Sequence, residues 1–311
     1  MNLRSIVEAL ADYTVVLQPD RDVPEWWAGA PSVAVSPDGV FYLAARMREG
    51  DSPRGKRGYE IRILRSTDGL HFTPIHHIRR EDVGVSGFER PALLWDHGTG
   101  AYRLYTCTGL QQGWVILRFD DSPDPGGFRP TTARTVLSAS YPDDGFVHVT
   151  GYKDPIVFHD QRIWHMFVIA IDRVERIRHF VSDTGDDWQP ASAGPVMPND
   201  GWHNFFTRPA SVLPLSVGYL IVYEGSNLEW RDPVYNIATG LAYSPDLSSY
   251  FDLTPASPLL TSTTARDYHT WRYSAWVPRQ GRIFVYFEAA RPNNTNELRV
   301  AVLEPELTGT E

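Results

Sequence analysis

Cysteine is almost missing from this chain. Cys107 is the single one among 311 residues, which excludes an internal disulfide, and its place in an alternating apolar stretch suits a buried thiol rather than a nucleophile. Long apolar runs are missing too. No stretch of about 18 apolar residues occurs, so no membrane-spanning helix is expected, and the first 20 residues lack the continuous apolar centre of a signal peptide. They suit one short amphipathic helix through Ile6, Val7 and Leu10, and the expected location is cytoplasmic. Basic excess is lacking as well: 29 Lys and Arg stand against 38 Asp and Glu, a net charge of -9. Phosphate-backbone binding needs a basic footprint, so a nucleic-acid partner is not expected. There is no Gly-rich phosphate loop, no paired-Cys metal pattern and no His-Glu-x-x-His helix. His76 and His77 are adjacent and would face opposite sides of a strand, a poor chelate.

What the chain does contain is a recurring phrase. At its centre, GYKDPIVFHDQRIWHMFVIA (151–170) reads as two strands and a turn, with Pro155 tolerated because it opens the first strand. The phrase returns with Pro31, Pro91 and Pro209, and once more without proline at Ala275. These five positions lie 60, 64, 54 and 66 residues apart. A second phrase follows several copies, as in EIRILRSTDGLHF, RIRHFVSDTGDDW and IATGLAYSPDL, and supplies further strands joined by Asp, Gly, Ser and Pro turns. A repeat of about 50 to 65 residues holding about four strands is the signature of propeller blades. The expected fold is all-β: one five-bladed β-propeller domain over 1–311, with four-stranded antiparallel blades near 28–80, 88–135, 150–192, 205–256 and 270–306 and a short N-terminal helix. Hydrophobic content of 42% supports a large core, and the repeat overrides the two domains that length alone suggests.

In such a ring the residues that open each first strand and close each second strand gather at one mouth. The openings carry Ala30, Glu89 with Arg90, Lys153 with Asp154, Thr207 with Arg208, and Tyr273. The closings carry Arg46, Thr108, Asp172, Glu224 and Glu288. Trp27, His269 and Trp271 lie on the approaching loops. Acids, arginines and aromatics in one funnel suit a small carbohydrate: aromatic faces stack on the sugar, while guanidinium and carboxylate groups bond its hydroxyls.

The whole chain resembles the five-bladed propeller glycosidases of glycoside hydrolase families 43, 32, 68 and 130, and is most similar to family 130, the mannoside phosphorylases and mannosidases. FYLAAR followed by RSTDGLHF resembles that family's Arg-bearing hairpin and matches Arg46. GYKDPIVF resembles its Lys-Asp strand opening and matches Lys153 and Asp154. GYLIVYEGSN resembles a segment that ends in a ligand-binding His, replaced here by Glu224. The chain departs where family 130 has Glu-Asp-Pro-Arg and this sequence has Glu89, Arg90 and Pro91, so the proton-donating Asp is missing. The acids of families 43 and 32 are likewise replaced by Ala30 and by Thr207 with Arg208.

The resemblance implies a glycoside hydrolase acting on a small glycoside, inverting, without a cofactor. A channel cation such as calcium, held by some relatives, stays open. Cleavage needs a proton donor and a base or nucleophile. The candidates are Asp154, Glu224, Glu89 and Glu288, with Asp154 orienting substrate and two of the three glutamates supplying acid and base. Arg46, Arg90, Lys153, Arg208, His269, Trp27, Tyr273 and Trp271 are the candidates for holding the sugar. The alternatives are a mannoside-type phosphorylase and a propeller that binds carbohydrate without cutting it.

Overall fold

A computed structural model describes residues 3–50, 58–111, 113–139, 149–262 and 270–304. After helix α1 (Leu3–Leu10) and strand β1 (Thr14–Leu17), the chain runs through antiparallel groups in sequence order. The first holds β2 (Trp27–Val35), β3 (Phe41–Arg48), β4 (Gly58–Ser66) and β5 (Thr73–Arg79). The second holds β6 (Ala92–Asp96), β7 (Ala101–Leu110), β8 (Gly113–Arg118) and β9 (Arg134–Leu137). The third holds β10 (Tyr152–His159), β11 (Trp164–Asp172), β12 (Val174–Ser182) and β13 (Gln189–Pro190). The fourth holds β14 (Phe206–Pro214), β15 (Tyr219–Ser226), β16 (Ala238–Ser244) and β17 (Phe251–Asp252). The last repeat supplies β18 (Trp271–Arg279), β19 (Arg282–Ala290) and β20 (Asn296–Leu303).

The last group departs from the expected pattern. Its fourth strand is β1, laid antiparallel on β20, and a single parallel pair, Trp27 with Asn296, joins it to the first group. These two groups therefore form one eight-stranded sheet beside three four-stranded ones. The first strands β2, β6, β10, β14 and β18 pack side by side in a closed circle. Residues 32–35, 92–95, 155–158, 210–212 and 275–277 of those strands line one common cavity.

Local chemistry explains the hairpins. The strands carry Val, Ile, Leu and aromatic residues that pack between neighbouring sheets, as Phe41, Leu43, Tyr286 and Val300 do. The turn after the third strand recurs with the same bond. Ser66 Oγ accepts from Gly69 N at 2.9 Å, Ser182 Oγ from Gly185 N at 2.9 Å, and Ser244 Oγ from Leu247 N at 2.8 Å. In each copy the donor residue is left-handed, with φ of 75°, 82° and 60°, which two of the three copies meet with glycine. Helix α1 buries Leu10 against Leu213, Val222 and Leu303; Val7 stays on the surface instead.

The strand openings share a backbone device. A bulge separates Gly29 from Ser32, Lys153 from Ile156, and Arg272 from Ala275. Just inside it, Ala30, Asp154 and Tyr273 have φ of 51°, 55° and 53°. That region disfavours side chains with a Cβ and is held only where the surroundings impose it. The common geometry aligns Ser274, not Ala275, with Pro31 and Pro155, and so places Arg272 level with Lys153, Glu89 and Gly29.

Candidate functional site

The mouth defined by those bulges holds a cavity of about 400 Å³. Five cationic side chains line it: Arg46, Arg48, Lys153, Arg208 and Arg272. Glu89 is the one carboxylate among the described residues that does so, and Trp114, Tyr235, Phe88 and Tyr273 give it aromatic walls.

Behind this lining each acid has a distinct setting. Glu288 is fully buried. Its Oε1 accepts from Arg272 Nε at 3.0 Å, Arg272 Nη2 at 2.8 Å and Asn296 Nδ2 at 2.6 Å, and its Oε2 accepts from Arg46 Nη2 and the Ala30 amide, both at 3.1 Å. Burial alone would raise its pKa, but the two guanidinium charges and the donated bonds hold it below the usual carboxylate value. No lone pair is left for chemistry on a sugar. Gly29 makes the arrangement possible, because a Cβ there would occupy the carboxylate's own volume.

Glu89 is 22% exposed and pairs with Arg46 Nη1. Its desolvation is outweighed by the charges of Arg46, Arg48, Lys153 and Arg272, so it titrates below the ordinary range and is ionised at neutral pH. Glu175, which the sequence did not single out, bridges Lys153 Nζ at 2.6 Å and Arg208 Nε. Against the cost of burial, those two cations pull its pKa down to about 2.

Glu224 behaves oppositely. It is fully buried, takes a bond from the Tyr273 amide to Oε1, and has no partner for Oε2 among the described residues. Burial outweighs Arg90 and Arg208 and lifts its pKa to about 7. Between the ordinary value near 4.5 and about 7 the folded protein holds this proton and the unfolded chain does not, so stability falls as pH rises through that window. Integrated over the window, the loss is on the order of 3 kcal/mol. Glu224→Gln is expected to flatten the decline in unfolding free energy between pH 5 and 8, measured by urea titration. An unchanged slope would show that Glu224 is not the group responsible.

Asp154 lies beneath the cavity instead of on its wall. Its Oδ2 accepts from the Tyr273 hydroxyl at 3.1 Å, and its Oδ1 accepts from the Arg90 amide at 3.1 Å and from Cys107 Sγ at 3.5 Å. Cys107 is buried, and desolvation first, then the Asp154 charge, keep its thiol protonated well above neutral pH. Arg90 turns away from the mouth altogether. Its guanidinium reaches across the circle of first strands to the carbonyls of Pro209 at 3.1 Å, Ala210 at 2.7 Å and Ser274 at 3.4 Å, which corrects its expected role in holding a sugar.

The tryptophans are corrected for a similar reason. Trp27 is buried beneath the cations, with Arg48 at 3.6 Å and Arg272 at 4.8 Å from its ring centre, and Tyr235 meets it edge-on at 5.7 Å. Trp271 stacks on Phe287 at 4.5 Å in the core. Neither lines the cavity. Arg46, Lys153, Arg208 and Tyr273 do, as expected. His269 lies outside the described residues. Arg48, Arg272, Glu175, Trp114 and Tyr235 were missed; Arg272 was visible as the partner of Lys153 and Glu89 once Ser274 replaces Ala275 in the repeat. Among the described residues no three His, Cys, Asp or Glu side chains are grouped so as to hold a metal ion.

No protein-family model matches the chain, and no curated protein matches it by sequence. Solved structures do match it in fold. A glycoside hydrolase superimposes with a TM-score of 0.72 at 13% identity, over 98% of this chain and 96% of the other. A β-1,2-mannobiose phosphorylase from Listeria innocua, in complex with β-1,2-mannobiose, gives 0.65 at 11% identity, over 93% and 94%. An α-L-arabinofuranosidase from Podospora anserina, in complex with cellotriose, gives 0.64 at 13% identity, over 94% and 97%.

Proposed function

We propose that a chain with the fold of the propeller glycosidases, carrying this mouth, is itself a glycoside hydrolase that cleaves a small glycoside. The closed circle of five first strands supports a single five-bladed propeller, with the cavity at the mouth as its sugar site. The observation that carries the reading is the placement of Glu89: it is the carboxylate on the cavity wall, it is ionised, and it is half-tethered by an arginine that Glu288 also holds. An ionised carboxylate is what a base or nucleophile must be. Glu224, with a pKa of about 7, is the group able to carry the complementary proton. It lies one backbone amide behind Tyr273, so its proton must reach the leaving oxygen through a small rearrangement of that residue or through water. Asp154 acts as a positioning residue that orients Tyr273. Trp114 and Tyr235 offer the faces on which a sugar ring would stack. We favour inversion, which leaves room for a water between Glu89 and the anomeric carbon.

A second reading, a propeller that binds sugar without cutting it, is favoured by one observation. Glu288 is saturated by donors and Asp154 is bonded beneath Tyr273, leaving Glu89 as the one acid on the cavity wall among the described residues.

Turnover of a panel of aryl glycosides and short oligosaccharides, with and without phosphate, tests the proposal. Hydrolysis without phosphate, with the product anomer read by proton NMR, is expected. Strict phosphate dependence would make the protein a phosphorylase. Binding of a sugar by calorimetry with no cleavage across the panel would leave the binding reading in its place.

A further inference from the structure

The lining of the cavity is unbalanced in charge. Five cations, Arg46, Arg48, Lys153, Arg208 and Arg272, face it, and three carboxylates pair with them. Glu288 takes Arg46 and Arg272, Glu89 takes Arg46 again, and Glu175 takes Lys153 and Arg208. Among the described residues, five positive against three negative charges leaves a surplus of two. A neutral sugar does nothing to relieve it.

The surplus has an address. Arg48 is 6% exposed and has no carboxylate partner among the described residues, and its Nε has no hydrogen-bond acceptor. It is stacked 3.6 Å above the Trp27 ring, with the Tyr235 ring at 5.9 Å. Stacking holds the guanidinium plane while leaving its N–H edge unspent, and that edge matches the two oxygens of a carboxylate. Burial pushes its pKa down to about 10, with the nearby Arg46 and Arg272 charges adding to the shift against the opposing charge of Glu89, which is already paired with Arg46. A buried cation without a counterion is costly in the free protein, and an incoming anion recovers that cost.

Resting on the glycoside-hydrolase reading above, we propose that the sugar bound in this cavity is a uronate, and that its carboxylate seats on Arg48 beside Arg272. The carboxylate brings the oxyanion with the substrate, so the cavity selects acidic glycosides over their neutral parents. Inorganic phosphate offers the same oxyanion chemistry as a free ion, and the test has to separate the two sources.

Calorimetric titration at low ionic strength and pH 7 does so, using matched pairs (glucuronate with glucose, galacturonate with galactose, mannuronate with mannose) and inorganic phosphate alone. Wild type is expected to bind one uronate at least about tenfold tighter than its parent hexose, the margin of a charge-assisted bond over a neutral one. Arg48→Gln is expected to erase that margin while hexose binding persists. Arg48→Lys, which keeps the charge without the fork, should retain part of it, and this variant stands in if the glutamine form does not fold. A hexose bound as tightly as its uronate would overturn the inference and leave the hydrolase reading standing. Tight phosphate binding lost in Arg48→Gln, with no uronate preference, would reassign the seat to a free anion and also overturn it. Absence of binding by any sugar would remove both.

Discussion

Glu89→Gln is expected to lower kcat by about 10³-fold or more, the usual contribution of a positioned carboxylate acting in general acid–base or nucleophilic chemistry. The substitution is nearly isosteric and keeps one oxygen toward Arg46, which Glu288 also holds at 3.1 Å. KM should therefore move little. The split between kcat and KM is the informative part: a residue that merely shaped the cavity would raise KM and spare kcat. Initial rates on the best aryl glycoside of the panel measure it, and a variant with wild-type kcat would remove Glu89 from the reaction.

The largest effect on stability should come from Glu288. Five donors converge on this fully buried carboxylate, two of them from Arg272, one from Arg46, one from Asn296 and one from the Ala30 amide. Glu288→Gln leaves two guanidinium groups in the interior with half their compensation gone. Breaking one partner of a buried pair costs about 3–5 kcal/mol, a large share of the roughly 5–15 kcal/mol that holds a typical domain together. Gly29→Ala should reach a similar end without touching any charge, since the added Cβ would expel the carboxylate. Urea midpoints of both variants test the claim. A loss below about 1 kcal/mol in Glu288→Gln would mean that water compensates the arginines and that the pair is not dry.

Much of this was legible in the sequence, and the boundary between what was and was not is physical. The hairpins could be read because strand alternation and Ser-Asp-Gly turns are local properties; the turns at Ser66, Ser182 and Ser244 use the same bond in all three copies. The mouth residues Glu89, Arg46, Lys153, Arg208 and Tyr273 could be read because a repeat fixes which end of each strand they occupy. Side-chain direction could not. Asp154 is left-handed at its strand opening and sits under Tyr273, whereas Arg90 at the equivalent opening reaches across the circle to distant carbonyls. Partners drawn from distant repeats were equally hidden. Glu175 belongs to the outer hairpin of the third group, and nothing near it in sequence announces that it will meet both Lys153 and Arg208. Arg48 carries no mark of its own in the sequence, standing two residues beyond Arg46 at the end of the same strand.

The pairing of β1 with β20 has a consequence for how the molecule comes into being. Thr14 finds Val300, and Trp27 finds Asn296, contacts separated by nearly the whole chain. A ribosome delivers the first of each pair long before the second, so the circle cannot close before β20 has been made. Through that interval Arg46 already exists and Glu288 does not. Until then Arg46 has Glu89 but lacks its second carboxylate, and the hairpin of β19 and β20 both fastens the ring and supplies Glu288. Assembly of the pocket and closure of the fold are therefore one event.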